Sequence, residues 1–234
     1  MMAKTKEHKG SQTQAVSLIT LVDPSSPISE QYRTIRTNIQ FASSADKQIK
    51  TIVVTSSGPG EGKSTISANL AVVFAKSGQR VLLVDSDMRK PTVYKTFNLT
   101  NATGLSTVLS TSTSVLEAAQ KTVIDNLFVL TSGPKPPNPS ELLGSGRMNQ
   151  VIEEAKSLYD IVIFDMPPVV AVTDAQIMAS KADGTLLVVR ENVSRKESLS
   201  KAKELLNMVQ AHILGVVYNG AEHLKDSGYY YYGN

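Results

Sequence analysis

The 234-residue sequence contains no cysteine, so it can form neither a disulfide nor a thiolate metal site. That absence fits a reducing compartment. A dominant charge sign is also missing. Lys and Arg number 24 against 21 Asp and Glu, and a net +3 is too small to argue for a nucleic-acid partner. No apolar stretch follows the basic opening MMAKTKEHKG, which excludes a secretory signal peptide. The longest apolar runs, such as residues 70–75, fall far short of the roughly twenty residues that cross a bilayer. The chain is therefore expected to be soluble, with any membrane role reached through a partner. Aromatic residues are scarce at 6%, yet four of the 8 tyrosines crowd into positions 229–232. What is plentiful is apolar content, 41%, enough for the core of one α/β domain with short appendages.

Residues 1–22 are polar and aperiodic and read as a flexible arm. The turn-prone DPSSP at 23–27 leads into a helix expected over 29–42, with Ser29 as its N-cap. Ile28, Tyr32, Ile35, Ile39 and Ala42 recur at steps of four and three and make one apolar stripe. From residue 51, short apolar runs at 51–55, 80–85, 127–130, 161–165, 185–189 and 213–218 read as strands. Helical stretches separate most of them, notably 64–76, 147–158 and 196–210. In the first of these, Ile66, Leu70, Val73 and Phe74 share a face, and Gly78 stops the helix. Runs of Val, Ile and Leu without alternation suit strands covered on both sides. The expected fold is an α/β doubly wound, mostly parallel sheet with helices on both faces, spanning residues 23–220. Residues 132–140 carry four prolines between 134 and 139 and read as a rigid surface loop, with Ser140 able to cap the next helix. Residues 221–234 read as a flexible tyrosine-rich tail.

Residues 57–65, SGPGEGKST, lie between a predicted strand and a predicted helix, the setting that a P-loop of an NTPase requires. Glycines let backbone N–H groups converge on phosphate oxygens, and the following helix presents its positive N-terminal end. On this reading Gly58, Pro59, Gly60, Glu61, Gly62, Lys63, Ser64 and Thr65 bind the nucleotide. Lys63 reaches the β- and γ-phosphates, and the Ser64 hydroxyl ligates Mg²⁺. The motif usually opens with Gly; here Ser57 stands there, small enough to be tolerated. Asp85 and Asp87 end one strand in VLLVDSDMRKP, and Asp165 ends another in IVIFDMPP. Open α/β sheets bind ligands beyond such strand ends. Ser64, Asp87 and Asp165 form the expected Mg²⁺ set, with Asp165 in the Walker-B role. Transfer to a tyrosine further needs a carboxylate to accept or orient the phenol proton, whose pKa is about 10. Asp85 or Asp87 suits that task while the other helps hold the metal, and the spacing does not say which. Lys63, Asp85, Asp87 and Asp165 are thus the expected catalytic residues. Asn219, beyond the last predicted strand, either reads the nucleotide base or forms a turn before Gly220.

Together the P-loop, VDSDMRKP and FDMPP resemble the bacterial tyrosine kinases, or BY-kinases. These P-loop enzymes are unrelated to eukaryotic-type kinases, whose Gly-rich loop, HRD and DFG elements are missing here. The likeness runs from about residue 29 to the C-terminus and includes SEQYRTIRTNIQF, TSGPKPPNPSELL, TDAQI and the terminal tyrosines. It is nearest to the Gram-positive cytoplasmic subunits of capsule and exopolysaccharide clusters, in which kinase and membrane adaptor are separate polypeptides. The resemblance implies ATP and Mg²⁺, a Walker A′ motif at Asp85 and Asp87, and autophosphorylation of Tyr229, Tyr230, Tyr231 and Tyr232. It further implies a homo-oligomeric ring, other protein tyrosine substrates, a cognate phosphotyrosine phosphatase, and control of polysaccharide synthesis and export. The implied location is the cytoplasm, with recruitment to the inner face of the plasma membrane by the adaptor. The alternative is a partition-type ATPase switch without protein phosphorylation. Such ATPases carry an additional lysine early in the loop, where this chain has Gly58.

Glu30, Arg33 and Arg36 are spaced by three and fall beside the apolar stripe. Spacing alone fits a solvated face with ion pairs worth a few tenths of a kcal/mol. The resemblance instead makes this ExxRxxR pattern a ring-forming subunit contact. Each phosphotyrosine in the tail would add about −1.5 to −2 charges. Tails that hold neighbouring subunits together are therefore expected to let go once phosphorylated.

Overall fold

The structure, a computed structural model, describes residues 15–43 and 48–221; the four terminal tyrosines lie outside these. Seven strands form one sheet: β1 (Thr51–Ser56), β2 (Val81–Asp85), β3 (Gln120–Lys121), β4 (Leu127–Leu130), β5 (Ile161–Asp165), β6 (Gly184–Arg190) and β7 (Ile213–Asn219). Their spatial order is β3-β4-β2-β5-β1-β6-β7. All pairings are parallel except that of β3, a two-residue edge strand antiparallel to β4. Strand residues alternate between two cores. Ile52, Val54, Leu83, Ile163 and Val188 face one, and Val53, Leu82, Val162, Phe164 and Leu187 face the other. That double burial is why the strands lack a polar face. The expected doubly wound sheet is what the chain forms.

On the first face lie α1 (Ile19–Val22), α2 (Pro27–Ala42) and α3 (Lys63–Lys76). The other face is covered chiefly by α5 (Leu105–Ser110), α8 (Gly146–Leu158), α9 (Asp174–Ala179) and α10 (Lys196–Met208). The short helices α4 (Val93–Thr96), α6 (Val115–Ala118) and α7 (Pro139–Gly144) sit in connections. α3 is a central helix: every residue from Ile66 to Ala75 is buried, because the sheet covers one side and α1 and α2 the other. The single apolar face expected for it was too narrow.

Three further expectations change. α2 starts at Pro27, with Ser26 as the N-cap accepting from the Ser29 N–H at 3.2 Å. Proline fits this first helical position because its missing donor would be unpaired there anyway. Ser29 is buried inside the first turn, its hydroxyl donating to the Asp23 carbonyl at 2.7 Å. Of the apolar stripe, Tyr32 and Ile39 enter the core, whereas Ile28 is half exposed. By the same logic Pro139 opens α7, so the proline-rich loop ends two residues earlier than expected and Ser140 is not its cap.

The end of the expected arm of residues 1–22 is docked on α3. Thr20 is buried, and its N–H and hydroxyl donate to Asn69 Oδ1 at 3.0 and 2.9 Å. The Asn69 amide in turn donates to the carbonyls of Ser17 and Thr65 at 2.8 and 3.0 Å. Lys76 Nζ caps the Thr20 carbonyl at 2.9 Å. Asn69→Ala would strand several of these buried groups, at about 1–3 kcal/mol for each unsatisfied one. The expected outcome is a fall of about 2–3 kcal/mol in urea-unfolding stability and new protease cleavage near residues 15–22. Unchanged stability and cleavage would show that the segment is not anchored through Asn69.

Candidate active site

β2, β5 and β1 are neighbours, so their carboxyl ends bring three loops together. Asp85 of β2 and Asp165 of β5 are paired in register across the ladder, which places two carboxylates side by side. The loop after β1 is residues 57–62. Gly60 and Gly62 adopt φ of +77° and +97°, where side chains are strained. At Gly62 a Cβ would also stand 2.2 Å from Asn219 Nδ2. The loop delivers Lys63, Ser64 and Thr65 as the first turn of α3, whose free N–H groups and dipole favour an anion.

Lys63 Nζ lies 3.2 Å from Asp87 Oδ2, 3.2 Å from Ser64 Oγ and 4.0 Å from Asp165 Oδ1. Burial alone would lower its pKa, but the fields of Asp165, Asp87 and Asp85 outweigh this and raise it. The ammonium stays charged. Asp85 is fully buried; Oδ2 accepts from the N–H groups of Thr92 and Val93 at 3.1 and 3.0 Å, and Oδ1 has no partner. Burial, reinforced by Asp165, pushes its carboxyl up to about 8. Asp165 is also fully buried and raised by burial, with Lys63, Ser64 and Ser67 opposing. Its Oδ1 accepts from Ser67 at 3.1 Å and its Oδ2 is unpartnered. Both oxygens of Asp87 are engaged, Oδ2 by Lys63 and Oδ1 by the Lys90 N–H at 3.0 Å.

These oxygens fit Mg²⁺. Among the described residues no three acidic or histidine side chains form a closed cage, and Mg²⁺ does not need one. It keeps several waters and takes one or two carboxylates plus substrate phosphates. Ser64, Asp87 and the unpartnered Asp165 oxygen supply suitable oxygen donors beside the phosphate loop.

The side chains of two expected nucleotide-binding residues also brace the loop. Glu61 is buried, and its carboxylate accepts from the Ser57 N–H at 2.8 Å, the Ser57 hydroxyl at 2.6 Å and the Ser194 hydroxyl at 2.6 Å. This also accounts for Ser57, whose hydroxyl is used within the loop. The Asn219 amide donates to the Glu61 carbonyl at 3.0 Å, and Arg190 donates to the Gly60 carbonyl at 3.0 Å. Asn219 thus ties the end of β7 to the loop, a contact beyond the expected base reading or turn.

Arg89 joins the site's edge without having been expected there. Its guanidinium grips the fully buried Asp174 in a bidentate pair, 2.9 and 3.0 Å, and donates to Ser140 at 3.1 Å. Ser140 itself donates to Asp174 at 2.7 Å. The available signal was the pairing of MRKP, PNPSELL and TDAQI as three segments without an assigned task. On α2 the expected trio divides. Glu30 and Arg33 are joined at the surface at 2.6 Å, and Arg33 also donates twice to the Pro24 carbonyl at 3.0 Å. Arg36 turns inward to the Val73 carbonyl at 3.2 Å, near the C-terminal end of α3. Like Arg33, it is half-buried.

A glycine loop feeding a helix N-terminus, with carboxylates at the ends of the two neighbouring strands, defines a P-loop nucleotide-binding protein. The family described as "AAA domain" matches residues 49–215. The chain is 50% identical to the tyrosine-protein kinase YwqD of Bacillus subtilis over 97% of its own length and 95% of that protein. Among solved structures, the chimerical protein CapA2B2 matches with a TM-score of 0.82 and 44% identity over 88% of this chain and 92% of that one. The kinase domain of the Escherichia coli tyrosine kinase ETK matches with a TM-score of 0.84 and 31% identity, over 99% and 89% of the two chains. The chain belongs to the bacterial tyrosine-protein kinases.

Proposed function

We propose that this kinase moves the γ-phosphoryl group of ATP to tyrosines in its own C-terminal tail, Tyr229 to Tyr232, acting on neighbouring subunits. The observation that carries this reading is the set of three carboxylates converging on Lys63 at the mouth of the phosphate loop. The tyrosine oxygen forms a bond to the γ-phosphorus, the bond to the bridging oxygen breaks, and ADP leaves with the electron pair. The phenol proton passes to Asp85. Asp85 has a free oxygen and a raised carboxyl, whereas both oxygens of Asp87 are already engaged. Lys63, released from Asp87, would bind the β- and γ-phosphates. Mg²⁺ held by Ser64, Asp87 and Asp165 would supply positive charge to the phosphate oxygens.

The remaining features are part of the same proposal. Glu30, Arg33 and Arg36 contribute to a homo-oligomeric ring, a membrane adaptor recruits and activates the enzyme at the inner face of the plasma membrane, and a phosphatase reverses the modification. The ring regulates capsular or exopolysaccharide synthesis and export. No helix among the described residues is long and apolar enough to cross a membrane. Gly58 in place of the partition-type lysine disfavours a simple ATPase switch. Replacing all four terminal tyrosines with phenylalanine is expected to remove most label transferred from γ-labelled ATP while leaving ATP binding intact. It should also leave the assembly's mass unchanged on adding ATP, whereas the unaltered assembly dissociates. Undiminished label would displace the acceptor assignment.

A further inference from the structure

Three segments that nucleotide binding leaves unused meet in one place. Arg89 follows β2, Ser140 lies in the first turn of the helix after β4, and Asp174 opens the helix after β5. Because β4, β2 and β5 are adjacent, the Arg89–Asp174–Ser140 clasp closes over one half of the sheet's carboxyl edge. The phosphate loop occupies the other half, after β1, and has its own brace in Glu61, Ser194 and Asn219. The two devices share no residue. Between them lie Asp85, Asp87 and Lys63.

The clasp is firmly determined. Asp174 is fully buried, and three donated hydrogen bonds from Arg89 and Ser140 compensate its charge. The Arg89 side chain remains 38% exposed, so it belongs to the rim of the crevice rather than to the core. Its guanidinium also feels the charge of Asp87 two residues earlier. Between Asp85 and Val93 the chain is held inward by carboxylate–backbone bonds, at Lys90, Thr92 and Val93. Arg89 is the point at which the same turn is tied outward to α7 and α9.

We propose that Arg89, held by Asp174 and Ser140, is a positioning residue for the phosphoryl-acceptor side of the site. It fixes the Asp85–Asp87 turn against the wall that the incoming tyrosine must pass, and it acts on transfer rather than on ATP binding. This rests on the tyrosine-kinase reading. Phosphoryl transfer depends mainly on alignment, and a displacement of about 1 Å is worth up to about 10²-fold in rate.

The test compares full-length protein with its Arg89→Ala, Arg89→Lys and Ser140→Ala variants. It measures phosphorylation of a glutamate–tyrosine copolymer, affinity for a fluorescent ATP analogue, and thermal unfolding. Arg89→Ala is expected to lower kcat for the copolymer by about 30-fold to 10²-fold with ATP affinity within about twofold. Arg89→Lys should recover only part of the loss, because an ammonium cannot repeat the bidentate pair. Ser140→Ala, which leaves that pair in place, should cost a few-fold at most. The unfolding temperature of Arg89→Ala is expected to fall, because buried Asp174 loses its charged partner. Two results would overturn the assignment: kcat unchanged in Arg89→Ala, or ATP affinity falling in step with kcat. Absence of copolymer phosphorylation by the unaltered protein in the presence of an activating adaptor fragment, with ATP bound normally, would instead remove the kinase reading and the inference with it.

Discussion

Lys63→Met protein is expected to keep its fold and lose phosphoryl transfer by at least about 10²- to 10³-fold, the cost typical of removing one preorganised donor from developing charge. Methionine has nearly the same length but no ammonium for the phosphates. The fold should survive because Lys63 is among the groups that hold the carboxyls of Asp165 and Asp85 down; without it both move further up, and Asp85, already pushed up to about 8, keeps its proton at pH 7. Buried carboxyls that are protonated do not leave uncompensated charge. Initial rates of tyrosine phosphorylation, together with thermal unfolding of the ATP-free protein, check both halves. A rate within tenfold of the unaltered enzyme would refute the assigned role of Lys63.

Asp85→Asn should be comparably damaging, since a positioned general base contributes about 10²- to 10⁴-fold. It also carries a pH signature with a definite sign. In the folded protein the Asp85 carboxyl is pushed up to about 8, against about 3.9 in an unfolded chain. Between these values the folded state binds the extra proton, so ATP-free protein loses stability as pH rises from about 4 to about 8 and then levels off. The slope is on the order of 1 kcal/mol per pH unit, and raised Asp165 acts in the same direction. In Asp85→Asn this slope should shrink, which urea unfolding at pH 5, 6, 7 and 8 would measure. The activity profile runs the opposite way. kcat/KM of the unaltered enzyme should climb through about pH 8 as Asp85 loses its proton, and the variant's residual rate should be flat. A variant that kept the climb would shift the base to Asp87.

The sheet was legible because its strands are short unbroken runs of Val, Ile and Leu, and burial on both faces requires such runs. The phosphate loop was legible because only glycine accepts the backbone of Gly60 and Gly62. Helix starts were less so. Ser26 and Ser29 are both acceptable N-caps by type, and the choice fell to Ser26 once Pro27 took the first helical position. The docked segment around Thr20 was illegible, since one buried asparagine 49 residues away fixes it and no local pattern reports that.

The amino-acid order alone determined that a helix N-terminus would follow a glycine loop, and that aspartates would stand at the ends of two strands. Those are local facts, set by steric permission and by the chemistry of each side chain. Which charges meet was decided only by the tertiary structure. The strand order β2-β5-β1 brings residues 63, 85 and 165 into one buried cluster, where desolvation and mutual repulsion raise the carboxyls of Asp85 and Asp165. Folding likewise turned Glu61 and Arg36 inward and brought Arg89 onto Asp174 across 85 positions of sequence. A sequence lists the charged groups, but their energies depend on neighbours and on water, and only the packed chain fixes both.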